Sequence, residues 1–357
     1  MPHNPALDGL RGAGALLVMC AHYYGLFGLY SGMLGVNIFF VLSGFLITSL
    51  LMKEIEDTGT IRIGNFIVRR ILRLVPALVA MVMIYGIFDL VIGIRPPDLV
   101  IKAMLTSLAM YASNWVRALD LWNMVEFGHT WSLAIEDQFY LVWPLVLLFL
   151  ARAGRITAII VVLIGVVALQ SNRYAALISG NVPIGYIDAA THYQMDALLI
   201  GAIPAFLVHY NINRTALLYA AAAACAVLTA IAIDPRNYMF KQPAVVMSVS
   251  IILLHLRLNK DSFIHRALSV KWLTYSGKIS YGLYLYHYPM WFLTVHNYGQ
   301  DWDTRYKQII CLFILTPITF FMSWASYKYL EEPFLRLKKH FRNERAAPVT
   351  GFAPAQP

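Results

Sequence analysis

The stretch MLGVNIFFVLSGFLITSLLM, residues 33–52, runs for twenty residues without a charged side chain. A helix needs about 20 mostly apolar residues to cross a hydrocarbon core roughly 30 Å thick, so this segment alone reads as a membrane span. Outward from it the pattern recurs. Residues 8–28 precede it, and 74–94, 130–151, 155–171, 192–210, 214–233, 243–257, 273–295 and 308–331 follow. The expected fold is all-α: a polytopic transmembrane helical bundle of about ten spans. Composition agrees, since 59% of the 357 residues are hydrophobic and only 13% charged, with a mean hydropathy of +0.61. Soluble domains carry roughly 25% charged residues.

Charge gives the bundle a direction. The loop after residues 33–52 holds Lys53, Arg62, Arg69, Arg70 and Arg73, which the positive-inside rule assigns to the cytoplasm together with the N-terminus. Alternation then puts Arg152, Arg155, Arg214, Arg257, Lys260, Arg266, Arg336, Lys338 and Lys339 on the same side. Counting residues 100–116 as a span would invert this bias, so that segment is expected to be re-entrant or interfacial. Two parts are expected: a transmembrane domain over 1–335, and a basic, disordered cytoplasmic tail over 336–357, too polar to bury a core. The chain then belongs in the cell's inner (cytoplasmic) membrane, multi-pass, with both termini inside. A net charge of +9 invites a nucleic-acid reading, but the basic residues form no contiguous stripe, and no nucleic-acid partner is expected. Cys20, Cys225 and Cys311 are far apart inside apolar segments and read as packing residues. No removable signal peptide is apparent at the N-terminus. No metal-ligand spacing or nucleotide-binding glycine loop occurs, and the LSG of residues 42–44 reads as a helix contact between small residues.

Ionisable residues within spans are costly and mark functional sites by default. Arg11 and His22 are eleven residues apart, three helical turns plus about 20°, so they share one face about 16 Å apart along the axis. Arg11 reads either as a snorkelling anchor or as a functional cation. His22 reads either as a hydrogen-bonded bundle histidine or as a group that takes a proton from a hydroxyl. In HTWSLAIEDQFYLVWP, residues 129–144, neighbouring carboxylates point about 100° apart, and Glu136 is expected to be the inward one, one turn from Ser132 and Tyr140, in either a structural salt bridge or a chemical role. His129 and Trp131 open this stretch as pocket or structural residues. Asp196 reads as half of a structural ion pair. In ISYGLYLYHYPM, residues 279–290, the spacing puts Ser280, Tyr284 and His287 on one face. Arg69, Arg70 and Arg73 form a compact cluster that fits either positive-inside bias or a phosphorylated ligand.

These pieces together resemble the membrane-bound acyltransferase family 3. The resemblance rests on LDGLRG with the Arg11–His22 spacing, GVNIFFVLSGFLIT, RRILRLVP, HTWSLAIEDQFYLVWP, ISYGLYLYHYP and YLEEPF, in order over residues 7–334. It implies an O-acetyltransferase. Acyl-coenzyme A, most often acetyl-CoA, would supply the acyl group from the cytoplasm to a hydroxyl of a carbohydrate, polysaccharide, lipopolysaccharide or lipid-linked glycan in the bilayer. It implies essential roles for Arg11, His22, Arg70 and Arg73. The expected assignment makes Arg70, Arg73 and Arg69 hold the coenzyme, with Arg11 either joining them or belonging to the catalytic group. His22 would be general base or acyl carrier, Glu136 would orient its imidazole, and no metal would take part. Relatives fused to an extracellular hydrolase-like domain are known; this sequence carries no such segment, so the membrane domain is expected to complete the transfer. The rival readings are a proton-coupled permease and a non-catalytic glycan exporter.

Overall fold

The structure, a computed structural model, describes residues 4–25, 29–210 and 238–341, and every element among them is helical. The first helix, α1 (Pro5–Tyr24), has well-marked ends. Asn4 accepts the Ala6 N–H in its side chain, Pro5 occupies a position where a missing N–H costs nothing, and Gly25 closes the helix in the left-handed region at φ 62°. Helices α2 (Leu29–Thr58) and α3 (Ile63–Ile92) follow as 30-residue rods. Next come α4 (Pro97–Leu108), α5 (Ser113–Ala118), a 3₁₀ turn at Val125–Thr130, α6 (Trp131–Ala153), α7 (Arg155–Ser179), α8 (Ile184–Ala189) and α9 (Thr191–His209). Beyond residue 237 lie α10 (Tyr238–Leu258), α11 (Phe263–Leu268), α12 (Lys271–Lys278) and α13 (Ser280–Trp291), which a π turn extends to His296. The last helix, α14 (Thr304–Leu337), contains π turns at Cys311–Leu315 and Tyr327–Glu331.

Helix α2 lies at the centre, packed on α1, α6, α9 and α10. Its close approach to α9 requires glycine: a Cβ on Gly44 would lie 1.9 Å from the Leu198 carbonyl oxygen, and one on Gly201 would lie 2.1 Å from that of Val41. The LSG stretch is thus a helix contact. Helix α7 is tied to α9 by a buried bidentate pair, Arg173 to Asp196 at 3.0 and 2.9 Å, so Asp196 is structural.

Five described helices are long and apolar enough to cross a membrane: Gly32–Thr58, Ile63–Ile92, Val125–Ala153, Arg155–Ser179 and Thr304–Leu337. Helices α1 and α9 fall short of that standard but are buried along most of their length, so their polar groups meet protein. The span expected at 214–233, with Arg214 and Cys225, lies outside the described residues. Residues 100–116, not expected to cross the membrane as one span, form two short helices joined by a turn, where Met110 has φ 59°. Two expectations change. Residues 273–295 are not one rod, because the chain breaks at Ile279 between α12 and α13. The tail expected to be disordered from Arg336 remains helical to Leu337 and ends in a 3₁₀ turn at Lys338–Phe341, because Arg69 donates to the Phe341 carbonyl at 2.8 Å.

Candidate active site

One face of α2 lines a cavity of about 570 Å³. Val36, Phe39, Phe40, Ser43, Leu46, Leu50 and Lys53 recur at helical spacing along it. They span 17 residue steps, or about 25 Å of helix. Half-exposed Lys53 marks the mouth, while Ser132 and Tyr284 face the deep end, where Tyr284 lies beside Phe39 with ring centroids 6.0 Å apart. Arg11 and Asp8 enter from α1, Arg70 and Arg73 from α3, Glu136 and Asp137 from α6, and Ser280 from α13.

The arginines differ. Arg11 is 3.4 Å from Asp8, one turn away on the same helix. Arg70 stacks on the Tyr140 ring at 4.4 Å and makes no ion pair among the described residues; neither does Arg73. Two guanidiniums therefore border the cavity with no carboxylate at ion-pair distance among the described residues, although Glu136 and Asp137 line the same cavity, and their donors are open to an anionic ligand. Arg69, expected to join them, is turned away and bound to Glu54 at 3.1 Å and to Phe341. Lys338 packs near the cluster, and burial, then the positive field of Arg73, Arg70 and Arg69, pushes its ammonium down to about 7.

Glu136 does not orient His22. Its carboxylate accepts from Ser43 at 2.9 Å and from Tyr140 at 2.7 Å, two groups of the first cavity. Asp137 borders the same cavity, so both adjacent carboxylates reach the interior, against the expectation of one. The 100° between them still allows this, because the cavity is broad enough to meet both directions.

His22 lies at the far end of α1 and borders a second cavity of about 390 Å³. Its Nδ1 is 3.0 Å from the Val18 carbonyl and 3.3 Å from His287 Nε2, while His287 Nδ1 is 2.9 Å from the Leu283 carbonyl. Carbonyls only accept, so both Nδ1 atoms carry hydrogen. In a neutral His287, the single Nδ1–H of His22 is then shared between the Val18 carbonyl and His287 Nε2, and His22 Nε2 keeps its lone pair. His287, and not Glu136, is thus the side chain at hydrogen-bond distance from His22. Tyr284, one turn from His287, donates to the His129 carbonyl at 2.8 Å and contacts Ser132 Oγ at 2.6 Å. His129 is buried, with neither ring nitrogen bonded among the described residues and its ring 5.9 Å from that of His287. Trp131 is buried against Phe40. The rings of Tyr284, His129 and His287 lie between the first cavity, which Tyr284 lines, and His22 at the second. No group of three or more metal-binding side chains is present among the described residues.

Some site residues escaped the sequence reading. Ser43 was read only as part of a helix contact. Asp89, inside the expected span 74–94, carries the same signal that singled out His22; it pairs with Arg95 at 2.5 Å, and Arg95 also reaches Glu126 at 3.3 Å and Asn297 at 2.8 Å. This clamp holds the 3₁₀ turn that carries His129.

A family model described as an acyltransferase domain matches residues 4–328. Among curated proteins, the chain is similar to the O-acetyltransferase OatA of Staphylococcus aureus, strains NCTC 8325 / PS 47 and COL. Each is 31% identical over 360 residues, covering 95% of this chain and 58% of the relative. The chain thus spans about 58% of the length of these relatives. No solved structure matches it.

Proposed function

The chain belongs to acyltransferase family 3, and from that premise we propose that it moves an acetyl group from acetyl-CoA to a hydroxyl of a carbohydrate or glycan at the membrane. The observation that carries this reading is the pair of unpartnered guanidiniums, Arg70 and Arg73, beside a cavity that follows α2 for about 25 Å. A coenzyme with phosphates at one end and a long, thin arm at the other fits both features. The phosphates would meet Arg70, Arg73 and Lys53, and the arm would lie along Phe39, Phe40 and Leu46. Arg11, which lines the same cavity, would donate to the carbonyls of the arm's amides.

The chemistry follows from His22. Its free Nε2 takes the proton of the acceptor hydroxyl as that oxygen attacks the thioester carbonyl. A C–O bond forms and the C–S bond breaks. The departing thiolate then recovers the proton from the imidazolium, and the products are an acetyl ester and free coenzyme A. During proton transfer, the hydrogen bond to His287 holds the ring in one tautomer. Coenzyme release separates this reading from a permease or a non-catalytic exporter. The name O-acetyltransferase borne by the relatives supports an oxygen acceptor. On the positive-inside reading, the Lys53 end faces the cytoplasm of an inner membrane and the His22 end faces away.

The test uses proteoliposomes of the full chain, acetyl-CoA labelled in the acetyl group, and a cell-envelope glycan extract as acceptor. Label passes into base-labile ester, and Arg73→Lys raises the donor KM on the order of tenfold while leaving kcat within about twofold. Absence of both ester and free coenzyme in the wild type overturns the reading.

A further inference from the structure

The second cavity differs chemically from the first. Beside His22 it is bordered by Tyr24, Trp291, His296, Gln300 and Lys307, and among its described lining residues only Lys307 carries a formal charge. No arginine pair awaits phosphates there. Trp291 instead forms a step in a run of rings leading out from the base: its ring is 5.8 Å from that of His22 and 5.5 Å from that of His296. Gln308 is bound to the Tyr24 carbonyl at 3.1 Å, which fixes one wall, whereas Gln300 stands exposed at the rim. The volume of about 390 Å³ lies within the range of small-molecule sites.

We infer that this cavity is the acceptor subsite and that it takes a single hexopyranose unit of a glycan, seated with one C–H face on Trp291 and one hydroxyl at His22 Nε2. Flat aromatic faces beside amide and imidazole groups match the two chemistries of a sugar ring, its apolar face and its edge of hydroxyls. The absence of carboxylates from the described lining admits neutral and acidic sugars alike, and Lys307 favours an acidic one. The inference rests on the acyl-transfer reading above and adds where the acceptor binds and what it is. Donor and acceptor would then approach His22 from opposite ends of α1, through separate cavities.

The test supplies the full chain in proteoliposomes with acetyl-CoA and a panel of methyl glycosides: hexoses, N-acetylhexosamines and hexuronic acids. Free coenzyme A and acetylated glycoside are measured separately. The wild type is expected to acetylate at least one glycoside. Trp291→Ala is expected to raise that acceptor's KM on the order of tenfold with the donor KM unchanged, and Trp291→Phe to restore most of the loss. Thermal stability in detergent, compared across the variants, identifies any that fail to fold, and Gln300→Ala at the exposed rim provides a second variant with the same expected KM pattern. Release of coenzyme by a wild type that acetylates no glycoside overturns the acceptor assignment while leaving acyl transfer standing. So does a Trp291→Ala effect confined to donor KM. A wild type that releases no coenzyme defeats the underlying reading itself.

Discussion

At His22, a hydrogen bond to a backbone carbonyl and one to a second imidazole fix which nitrogen is free. The sequence singles out His22 and Arg11 because an ionisable group in an apolar run has few bland explanations. It could not supply their partners. Ser43, which bonds Glu136, lies 93 residues away, and His287, which bonds His22, lies 265 away. Such pairings are tertiary, and helical spacing is silent about them. Lys338 yields a prediction at this scale. Its ammonium is held down to about 7 by burial and by the three arginines, so near neutrality it is only partly charged. A polyanion arriving at Arg70 and Arg73 would favour the charged form, so donor binding takes up a proton. Affinity for coenzyme A is therefore expected to strengthen as pH falls from about 8 to about 6 and to weaken as pH rises through the bound-state value. Titration by calorimetry in two buffers of different ionisation enthalpy measures that uptake. An uptake equal to the wild type's in Lys338→Met excludes Lys338 as its source.

Among the elements, the long helices were the most legible, since α2, α3, α6 and α7 each contain most of an expected apolar run, with ends shifted by up to eleven residues, at the start of α3. One such shift mattered: α7 continues to Ser179, beyond the expected 171, and so brings Arg173 to Asp196. The break at Ile279 left a trace that a span-length reading passes over: Ser276, Gly277, Lys278 and Ser280 flank it, a small and polar stretch inside an otherwise apolar run. The contact of α2 with α9 has a direct consequence. With Cβ positions at Gly44 and Gly201 inside the van der Waals distance of backbone oxygens, neither helix can yield by rotating a side chain. Gly44→Val is expected to destabilise the bundle by at least the roughly 1–3 kcal/mol of overpacking, seen as a lower melting temperature in detergent. A variant with unchanged melting would mean that α2 and α9 are farther apart than described. Because α2 also carries the wall of the first cavity, donor affinity should fall with it.

Across the molecule, two cavities of different character meet at a layer of rings made by Tyr284, His129 and His287. One is bordered by cations and runs along α2; the other is bordered by rings and amides and opens beside His22. The angular reading of α1 placed Arg11 and His22 on one stripe, and that stripe extends from the first cavity to the second. What it left open was that the residues serve separate spaces, because the layer between them comes from α13 and from the turn before α6. The central claim is that Arg70 and Arg73 hold the donor while His22 performs the transfer, so binding and chemistry should separate. The direct measurement is equilibrium binding of acetyl-CoA beside its rate of conversion to coenzyme A, in folded wild type and His22→Ala. The account predicts affinity within about threefold of wild type and a rate lower by about 10²–10⁴-fold. A folded His22→Ala variant that converts acetyl-CoA at the wild-type rate would contradict it.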